Sequence, residues 1–278
     1  MILIADSGST KTHWVALNEA REVAGEQITS GINPFLLSVE EVQHLLKKEV
    51  EIPEEKISVL YFYGAGCTPE KQESMQILLK RFFQAETVEV HSDLLGAARS
   101  LCQDEKGIVG ILGTGSNSCY YDGKKIAQQT SSLGFILGDE GSGSYLGKRL
   151  ISDLLKSQLP REIADAFQEK YRLDQSQVLE RVYRLPFPNR FLAGFAVFLR
   201  ENIHYPEIRK LVSEGFQQFI QRNLLQYPDV KKLPVHLTGS IAWGFREILE
   251  EVLKEEQLSL GRIRQKPMDG LIEYHSSR

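Results

Sequence analysis

Two stretches of this chain share a pattern in which an apolar strand stops at a turn of glycine and hydroxyl residues, and a second strand follows. The first stretch is residues 2–17, where the apolar run is broken at Asp6 and continues as DSGSTKT. The second is residues 107–126, with the sequence GIVGILGTGSNSCYYDGKKI. Each pattern predicts a β-hairpin. Two copies of strand, polar turn and strand therefore predict a duplicated α/β architecture, with one copy beginning each half.

Between the two hairpins the pattern alternates between helix and strand. SVEEVQHLLKKEV begins with a capping box formed by Ser38 and Glu41, which predicts a helix. The nearly continuous apolar run 57–66 predicts a strand buried on both faces. Residues 87–93 predict a shorter strand that delivers Asp93 into a turn before a helix of small residues. This order is typical of an α/β domain.

Other segments extend the same reading. Thr68 and Pro69 predict a helix start, with Thr68 as the cap and Pro69 at the first helical position. The sequence after Gly147 is mostly helical in pattern, and residues 235–245, VHLTGSIAWGF, predict a strand, a Gly-Ser turn and a helix.

The second hairpin begins after a short charged segment, Asp104–Lys106, where we place the domain boundary. We therefore expect an N-terminal domain of residues 1–105 and a C-terminal domain of residues 106–278, the latter with a helical insertion. A duplicated fold of this kind leaves a cleft between its two domains, so we expect ligands to bind there.

Composition argues against several classes of protein. With 278 residues, 42% of them hydrophobic, the chain can bury a large core. Its net charge of −4 and the lack of a basic face argue against nucleic acid. The three cysteines are widely spaced, which argues against a disulfide framework or a zinc site. Neither a signal peptide nor a membrane segment is indicated, so we expect a cytoplasmic protein without a membrane partner.

Three turns carry the same chemistry: residues 6–10, 113–118 and 238–240. Glycine lets backbone N–H groups approach an anion, and serine or threonine hydroxyls add donors without bulk. A single turn of this kind is more often a plain hairpin, but three such turns after apolar strands favour a phosphate site. Neither the P-loop motif nor the Rossmann GxGxxG motif is present, so hairpin turns would have to hold the phosphates.

Four segments carry a resemblance to a known superfamily: DSGSTKT, GILGTGSNS, LGFILGDEGSG and HLTGS. They resemble the phosphate-1, phosphate-2, interdomain and adenosine segments of the actin-like ATPases, which include sugar kinases, actin and heat-shock chaperones. Within that superfamily the chain is similar to the BadF/BadG/BcrA/BcrD ATPase group, and especially to its N-acetylglucosamine kinases. The resemblance implies a duplicated actin-like (ribonuclease H-like) two-domain ATPase fold with an interdomain cleft.

The resemblance also implies roles for particular residues. Asp6 matches the acid that holds Mg²⁺, and Asp93 matches the catalytic acid that also binds the sugar. The implied nucleotide-binding residues are Ser9, Thr10, Lys11, Gly113, Thr114, Gly115, Gly239 and Ser240. The implied substrate contacts, besides Asp93, are Asn33, Asn117, Gly134 and Asp139. ATP and Mg²⁺ are therefore the expected cofactors, and a small sugar is the expected partner.

The acids have simpler alternative roles. Asp93 alone would be read as a helix N-cap, and Asp139 as a loop acid that binds nearby backbone. Lys11 alone would be read as a solvated lysine. Asp6 is harder to explain structurally, because an acid that ends a buried strand costs free energy unless something compensates it.

The expected activity is ATP-dependent phosphorylation of the 6-hydroxyl of an amino sugar, with N-acetylglucosamine as the first candidate. The sequence departs from those kinases at Leu133, where they often carry a tryptophan, and at PMDGLIEY (267–274), which replaces a segment containing two glycines. Glucosamine or a muramic-acid-type sugar therefore stays open as the substrate. Two further alternatives are a dehydratase-activating ATPase and a nucleotide-dependent binding module without transfer. Monomer and homodimer are both open.

Overall fold

The computed structural model describes residues 1–52 and 55–278, and it divides into two compact units. Unit 1 comprises Met1–Glu105, Gly123–Ile126 and Lys266–Arg278, and unit 2 comprises Lys106–Asp122 and Ala127–Gln265. Each unit contains one five-stranded mixed sheet.

Unit 1 is built on a sheet with the strand order β3-β2-β1-β4-β5. Its elements, in chain order, are β1 (Ile2–Ser7), β2 (Lys11–Leu17), β3 (Val23–Ser30), α1 (Val39–Glu49), β4 (Val59–Gly64), α2 (Pro69–Phe83), β5 (Thr87–Ser92) and α3 (Asp93–Cys102). Strands β1, β2 and β3 pair antiparallel, and β4 and β5 continue parallel to β1. The predicted hairpin of residues 2–17 is confirmed.

Apolar residues on both faces of the central strands hold unit 1 together. On one face Trp14 is fully buried, and its ring lies 6.0 Å from Phe62 and 5.3 Å from Phe83, measured between centroids. The indole N–H donates to Thr29 Oγ1 at 3.0 Å, so its polar atom is satisfied. The predicted capping box is present, because Ser38 Oγ accepts from the backbone of Glu41 and the Glu41 carboxylate accepts from the backbone of Ser38.

The predicted start of α2 is confirmed, because Thr68 is the N-cap residue and Pro69 the first helical residue. The Thr68 side chain nevertheless makes no capping hydrogen bond. Proline lacks a backbone N–H and has φ fixed near the helical value, so it favours a helix start without the hydroxyl.

Unit 2 is built on a sheet with the strand order β10-β9-β6-β7-β8. Its elements, in chain order, are β6 (Gly107–Leu112), β7 (Ser116–Tyr121), β8 (Ile126–Gln129), α4 (Gly134–Leu137), α5 (Gly143–Leu155), α6 (Arg161–Tyr171), α7 (Gln175–Tyr183), α8 (Pro188–Ala193), α9 (Ala196–Glu201), α10 (Pro206–Arg222), β9 (Val235–Thr238), α11 (Ser240–Gly244), α12 (Arg246–Glu255) and β10 (Leu260–Arg264). As in unit 1, the first two strands, here β6 and β7, pair antiparallel. Strands β9 and β10 run parallel to β6. The second predicted hairpin and the predicted helical region are confirmed.

Helix α13 (Met268–Ser276) follows β10 in the chain but belongs to unit 1. It packs against α3, where Gly270 lies so close that a Cβ there would be 2.2 Å from the Ser100 carbonyl oxygen. Gln103 Nε2 donates to the Gly270 carbonyl oxygen at 3.0 Å. The units divide after Glu105, but this last segment differs from the predicted domain of residues 106–278. Long-range packing of a glycine-bearing helix was not visible in the local pattern.

Within the described residues, no helix is both long and apolar enough to cross a membrane.

Candidate functional site

In unit 1, the polar turn between β1 and β2 is held by hydroxyl groups beneath it. Ser7 and Thr12 are buried, and their hydroxyl oxygens lie 2.7 Å apart. The Ile32 backbone N–H donates to Ser7 Oγ at 3.0 Å, and Ser7 Oγ donates to the Ile32 carbonyl at 2.9 Å. Within the turn, the Gly8 N–H donates to the Lys11 carbonyl at 3.0 Å. The turn is therefore fixed before any ligand binds.

The segment after β3 packs directly on this turn. Gly31 N–H donates to the Thr10 carbonyl at 3.0 Å, and a Cβ on Gly31 would lie 2.4 Å from the Gly8 carbonyl oxygen. Asn33 Nδ2 donates to Ser9 Oγ at 3.1 Å. The structure thus brings a predicted sugar contact, Asn33, next to a predicted phosphate donor, Ser9.

The Asp6 carboxylate lies near the end of β1, in register with His13 of β2 and Tyr63 of β4. Its pKa is raised from 3.8 to about 7, mainly by burial and then by the nearby Asp93 carboxylate, while Lys11 opposes the shift. Two carboxylates close enough to repel each other form a site that a cation would stabilise. Asp6 is therefore a buried acid whose charged form a bound cation would stabilise.

Asp93 begins helix α3, but it does not cap that helix. The cap is Ser92, whose hydroxyl accepts from the Leu95 N–H at 3.2 Å. Asp93 Oδ1 accepts from the Leu94 N–H at 2.8 Å. Burial raises the pKa of Asp93 to about 6, and hydrogen bonds from the backbone moderate the rise. The alternative reading of Asp93 as the N-cap is therefore wrong, and its carboxylate is available for another role.

In unit 2, the turn between β6 and β7 is also braced, but by backbone rather than by hydroxyls. Gly113 N–H donates across the turn to the Gly115 carbonyl at 3.0 Å. Two residues at the start of α5 bind its other carbonyls, because Gly143 N–H donates to Gly113 at 2.8 Å and Ser144 N–H donates to Thr114 at 3.0 Å. The segments GTGSNS and GDEGSG therefore meet in space.

Asp139 is part of the same brace. Its Oδ1 accepts from the Ser116 N–H at 3.1 Å, and a Cβ on Gly115 would lie 2.9 Å from its Oδ2. The backbone of Asp139 is in the left-handed region with φ of 57°, which is uncommon for a residue other than glycine. Burial raises its pKa, and the Ser116 hydrogen bond opposes the rise. These contacts are those of the alternative role, a loop acid bound to nearby backbone.

The third predicted turn, residues 238–240, lies against the turn between β6 and β7. Gly239, with φ of 114°, lies so close to β6 that a Cβ would be 2.3 Å from the Leu112 carbonyl oxygen and 3.2 Å from Gly113 N. Ser240 then begins α11. Only glycine fits this approach, so the turns that contain Gly113 and Gly239 lie side by side.

Two other predicted contacts lie apart from this brace. Asn117 Oδ1 accepts from the Ser118 N–H at 2.9 Å and from Gln129 Nε2 at 3.1 Å. Gly134 begins α4 with φ of 72°, and its immediate neighbour Leu133 is 55% exposed. A cavity of about 360 Å³ in unit 2 is lined by Leu133, Asp139 and polar residues of β7 and α10.

Sequence reasoning missed the supports beneath the turns. Ser7 and Thr12 were inside the quoted motif, but only their burial reveals that they hold Ile32. Ser142 was also missed, although it caps α5 by accepting from Tyr145 N–H. A serine before a helical pattern is a visible signal and could have predicted this cap.

Two sheets of identical strand order, each with a polar turn after its first strand, define the duplicated actin-like ATPase fold. The sequence profile of the BadF/BadG/BcrA/BcrD ATPase family matches residues 5–160, more than half of the chain. The chain belongs to the BadF/BadG/BcrA/BcrD ATPase family. Among curated proteins, none matches the sequence.

Solved structures agree with this assignment. A putative N-acetylglucosamine kinase from Porphyromonas gingivalis is 46% identical, with a TM-score of 0.96, over 100% of this chain and 99% of that one. A putative N-acetylglucosamine kinase from Chromobacterium violaceum shares the fold with a TM-score of 0.77 at 16% identity, over 98% of each chain. MreB 5 of Spiroplasma citri has a TM-score of 0.60 at 12% identity, over 99% of this chain and 95% of that one.

Proposed function

We propose that this protein is an ATP-dependent sugar kinase that phosphorylates the 6-hydroxyl of an amino sugar, with N-acetylglucosamine as the first candidate. The observation that carries the proposal is the Asp93 carboxylate, which has a pKa raised to about 6 and leaves the capping of α3 to Ser92. The full-length similarity to the Porphyromonas gingivalis protein supports the substrate class.

Phosphoryl transfer requires a proton acceptor for the attacking hydroxyl. In the proposed step the sugar oxygen attacks the γ-phosphorus, its proton passes to Asp93, and the bond from that phosphorus to ADP breaks. A general base works best when its pKa lies near the working pH, and a value near 6 suits this role better than the ordinary value of 3.8. The Asp93 carboxylate in turn raises the pKa of the neighbouring Asp6.

Asp6 fits Mg²⁺ held mainly by phosphates. Among the described residues, no group of three or more His, Cys, Asp or Glu side chains could hold a metal alone. Magnesium in kinases is commonly bound by one or two carboxylates together with substrate phosphates and water. When bound, the ion would neutralise negative charge on the phosphates, and the crowded Asp6 carboxylate would hold it.

The turns supply donors for the rest of the nucleotide. We propose that Ser9, Thr10 and Lys11 in unit 1 bind phosphate groups, and that the backbone of residues 113–115 in unit 2 also binds phosphate groups. The turn of Gly239 and Ser240 would lie beside adenosine. Each turn is prearranged by the hydrogen bonds described above, which lowers the cost of binding.

The substrate residues stay proposals of the same kind. Asn33 is held by Ser9 and can face a sugar from that position. Asn117 and Gly134 are proposed as sugar contacts in unit 2, whereas the hydrogen bond from Ser116 favours the alternative role of Asp139, a loop acid bound to nearby backbone. The exposed Leu133 replaces a stacking surface with an aliphatic one, so glucosamine or a muramic-acid-type sugar remains the alternative substrate.

A dehydratase-activating ATPase is the alternative enzyme, and it would need cysteines presented to an iron–sulfur cluster. The cysteines here, Cys67, Cys102 and Cys119, are buried, and Cys119 lies within β7. Burial raises the pKa of the Cys67 thiol to about 12, which opposes the thiolate that a cluster needs. Cysteines that do not form disulfides, together with the use of ATP, also support a cytoplasmic setting.

The test is ADP release measured by a coupled assay with Mg²⁺ and five sugars: N-acetylglucosamine, glucosamine, N-acetylmannosamine, glucose and anhydromuramic acid. The expected result is turnover that depends on an amino sugar, with N-acetylglucosamine the best. ADP release that no sugar stimulates would contradict the kinase and favour the binding module. Light scattering on the same preparation tests the homodimer.

A further inference from the structure

Unit 1 contains a cavity at the end of its sheet opposite to Asp6. A cavity of about 810 Å³ opens beside Met1 and Ile2 at the start of β1 and beside Val59 at the start of β4. Asp6 lies four residues further along β1, roughly 13 Å away at the rise of a strand. Small-molecule sites typically have volumes of about 300–1,000 Å³, so this cavity has the size of a ligand pocket.

Guanidinium groups converge on this cavity from three separate elements. Arg21 comes from the turn between β2 and β3, Arg99 from α3, and Arg278 from the residues after α13. Arg99 is held in place, because its Nη1 donates to Tyr63 Oη at 2.7 Å and its guanidinium lies 5.2 Å from the centre of the Tyr274 ring. Arg99 is therefore prearranged. Arg278 is also held, because its guanidinium donates to the Tyr274 carbonyl oxygen at 2.7 Å and pairs with the Asp104 carboxylate.

The nearby arginines help to lower the pKa of a histidine in the cavity wall, His275. His275 is 4% exposed, and its pKa falls to about 3, first because of burial and then because of Arg99, Arg278 and Arg21 among its neighbours. The ring is therefore neutral, and it stacks on Tyr61 with centroids 3.9 Å apart. The wall thus combines a flat neutral surface with concentrated positive charge.

Arg21 lines the cavity from the turn between β2 and β3. It has φ of 65°, a left-handed conformation that glycine adopts most easily, so this backbone would accept a glycine. Asn18 and Glu19, from the same turn, also line the cavity and can accept hydrogen bonds from hydroxyl groups.

We propose that this cavity binds a small phosphorylated metabolite with a hydroxylated body. Donors arriving from three directions suit the tetrahedral phosphate with its three free oxygens better than a planar carboxylate. The acceptors of Asn18, Glu19 and Glu89 suit the hydroxyls, and the Tyr61 and His275 rings suit the body. The site is distinct from the phosphate turns, so it offers a place where a metabolite can regulate the protein.

The experiment measures binding by calorimetry to the full chain, with a saturating ATP analogue present to occupy the phosphate turns. The probes are glucose 6-phosphate, inorganic phosphate, citrate and glucose. The variant is Arg21→Gly, which removes the guanidinium where the backbone already favours glycine, so the unfolding temperature should not fall. The matched control is Arg81→Gln, which removes one positive charge from an exposed position on α2.

Glucose 6-phosphate is expected to bind the parent and Arg81→Gln equally, and Arg21→Gly about 10- to 100-fold more weakly, the loss of a charge-assisted hydrogen bond. Glucose and citrate should bind weakly or not at all. The proposal is overturned if no phosphorylated probe binds, if citrate binds with the same dependence on Arg21, or if binding is indifferent to Arg21→Gly. These outcomes do not depend on catalysis, so they are distinguishable from failure of the kinase proposal.

Discussion

Strand order is the same in the two units, but the chemistry at the ends of equivalent strands differs. Asp6 is the last residue but one of β1, and the hairpin register places Ile111 at the equivalent position of β6. Unit 1 has a second carboxylate, Asp93, directly after β5. The acid of unit 2, Asp139, instead binds the backbone of its own turn. At these strand ends unit 1 therefore has ionisable carboxyl groups, and unit 2 has glycine backbone.

Under the proposed function, this difference would give the two units different parts of phosphoryl transfer. Backbone N–H groups bind phosphate without bulk and without pH dependence, which suits holding a nucleotide. Carboxylates that repel each other can hold a cation and accept a proton, which suits the reacting end. A shared frame thus fixes where a site lies in each unit, while a few substitutions fix what each site does.

The largest expected effect comes from Asp93→Asn. The amide keeps a hydrogen-bonding group but cannot accept the sugar proton, so kcat should fall about 10²–10⁴-fold. The unfolding temperature should not fall, because Ser92 caps α3 and the raised pKa of Asp93 means that its charge is costly in the free protein. Initial rates and thermal unfolding on one preparation check both expectations.

Ser92→Ala is the matched control for that variant. Loss of the cap should cost roughly 0.5–2 kcal/mol of stability, while kcat per folded molecule stays near the parent value. Turnover of Asp93→Asn within threefold of the parent would remove Asp93 as the base and would weaken the contrast between the units.

Asp6→Asn should reduce Mg²⁺-dependent turnover strongly, by about 10²-fold or more, and at the same time stabilise the free protein at pH 8. The folded pKa of about 7 lies above the unfolded value of 3.8, so the folded state binds the proton more tightly. Stability of the ligand-free parent therefore falls as pH rises from about 4 to about 7. The Asp6→Asn variant has no carboxylate to ionise there, so at pH 8 its free energy of unfolding should exceed that of the parent by roughly 1–4 kcal/mol.

Urea unfolding at pH 5 and pH 8, with and without Mg²⁺, measures this effect. The variant should gain on the parent only at the higher pH, and Mg²⁺ with nucleotide should stabilise the parent alone. Equal pH dependence in the two proteins would show that Asp6 is an ordinary solvated acid, and the division between the units would lose its main support.

These expectations also show which parts of the molecule its sequence could predict. The hairpins and the Ser38 capping box were predictable, because strand alternation and caps depend on residues a few positions apart. The contact of Asn33 with Ser9 joins residues 24 positions apart, and no local pattern encodes it. The cap at Ser92 rather than Asp93 was decided by one residue of helix register, because either side chain could have served.

A matched glycine pair tests whether the two turns use backbone differently. In unit 2, nothing lies within 4 Å of a Cβ added at Gly113, so Gly113→Ala should fold normally. It places a methyl group on the turn that offers backbone donors, and the KM for ATP should rise about tenfold, or about 1.4 kcal/mol.

Gly8→Ala is also tolerated sterically, with the Lys11 carbonyl oxygen 3.9 Å away. Because the side chains of unit 1 carry its contacts, we expect a change of about threefold or less. Equal effects would show that the two turns bind phosphate in the same way.

The smallest effect is expected for Asp139→Asn, and it decides between two roles for that residue. As a brace, Asp139 needs only an oxygen that accepts from the Ser116 N–H, and the amide keeps one. Its raised pKa means that the charge is costly where it lies, so losing the charge should stabilise the free protein slightly at neutral pH. The KM values for ATP and sugar should both stay within about threefold. Asp139→Ala, which removes the acceptor and leaves a buried N–H unpaired, should cost roughly 1–3 kcal/mol and raise the KM for ATP. A rise of tenfold or more in the sugar KM of Asp139→Asn alone, with ATP unaffected, would show that the carboxylate binds sugar. In that case unit 2 would also contribute an acid to the reacting end.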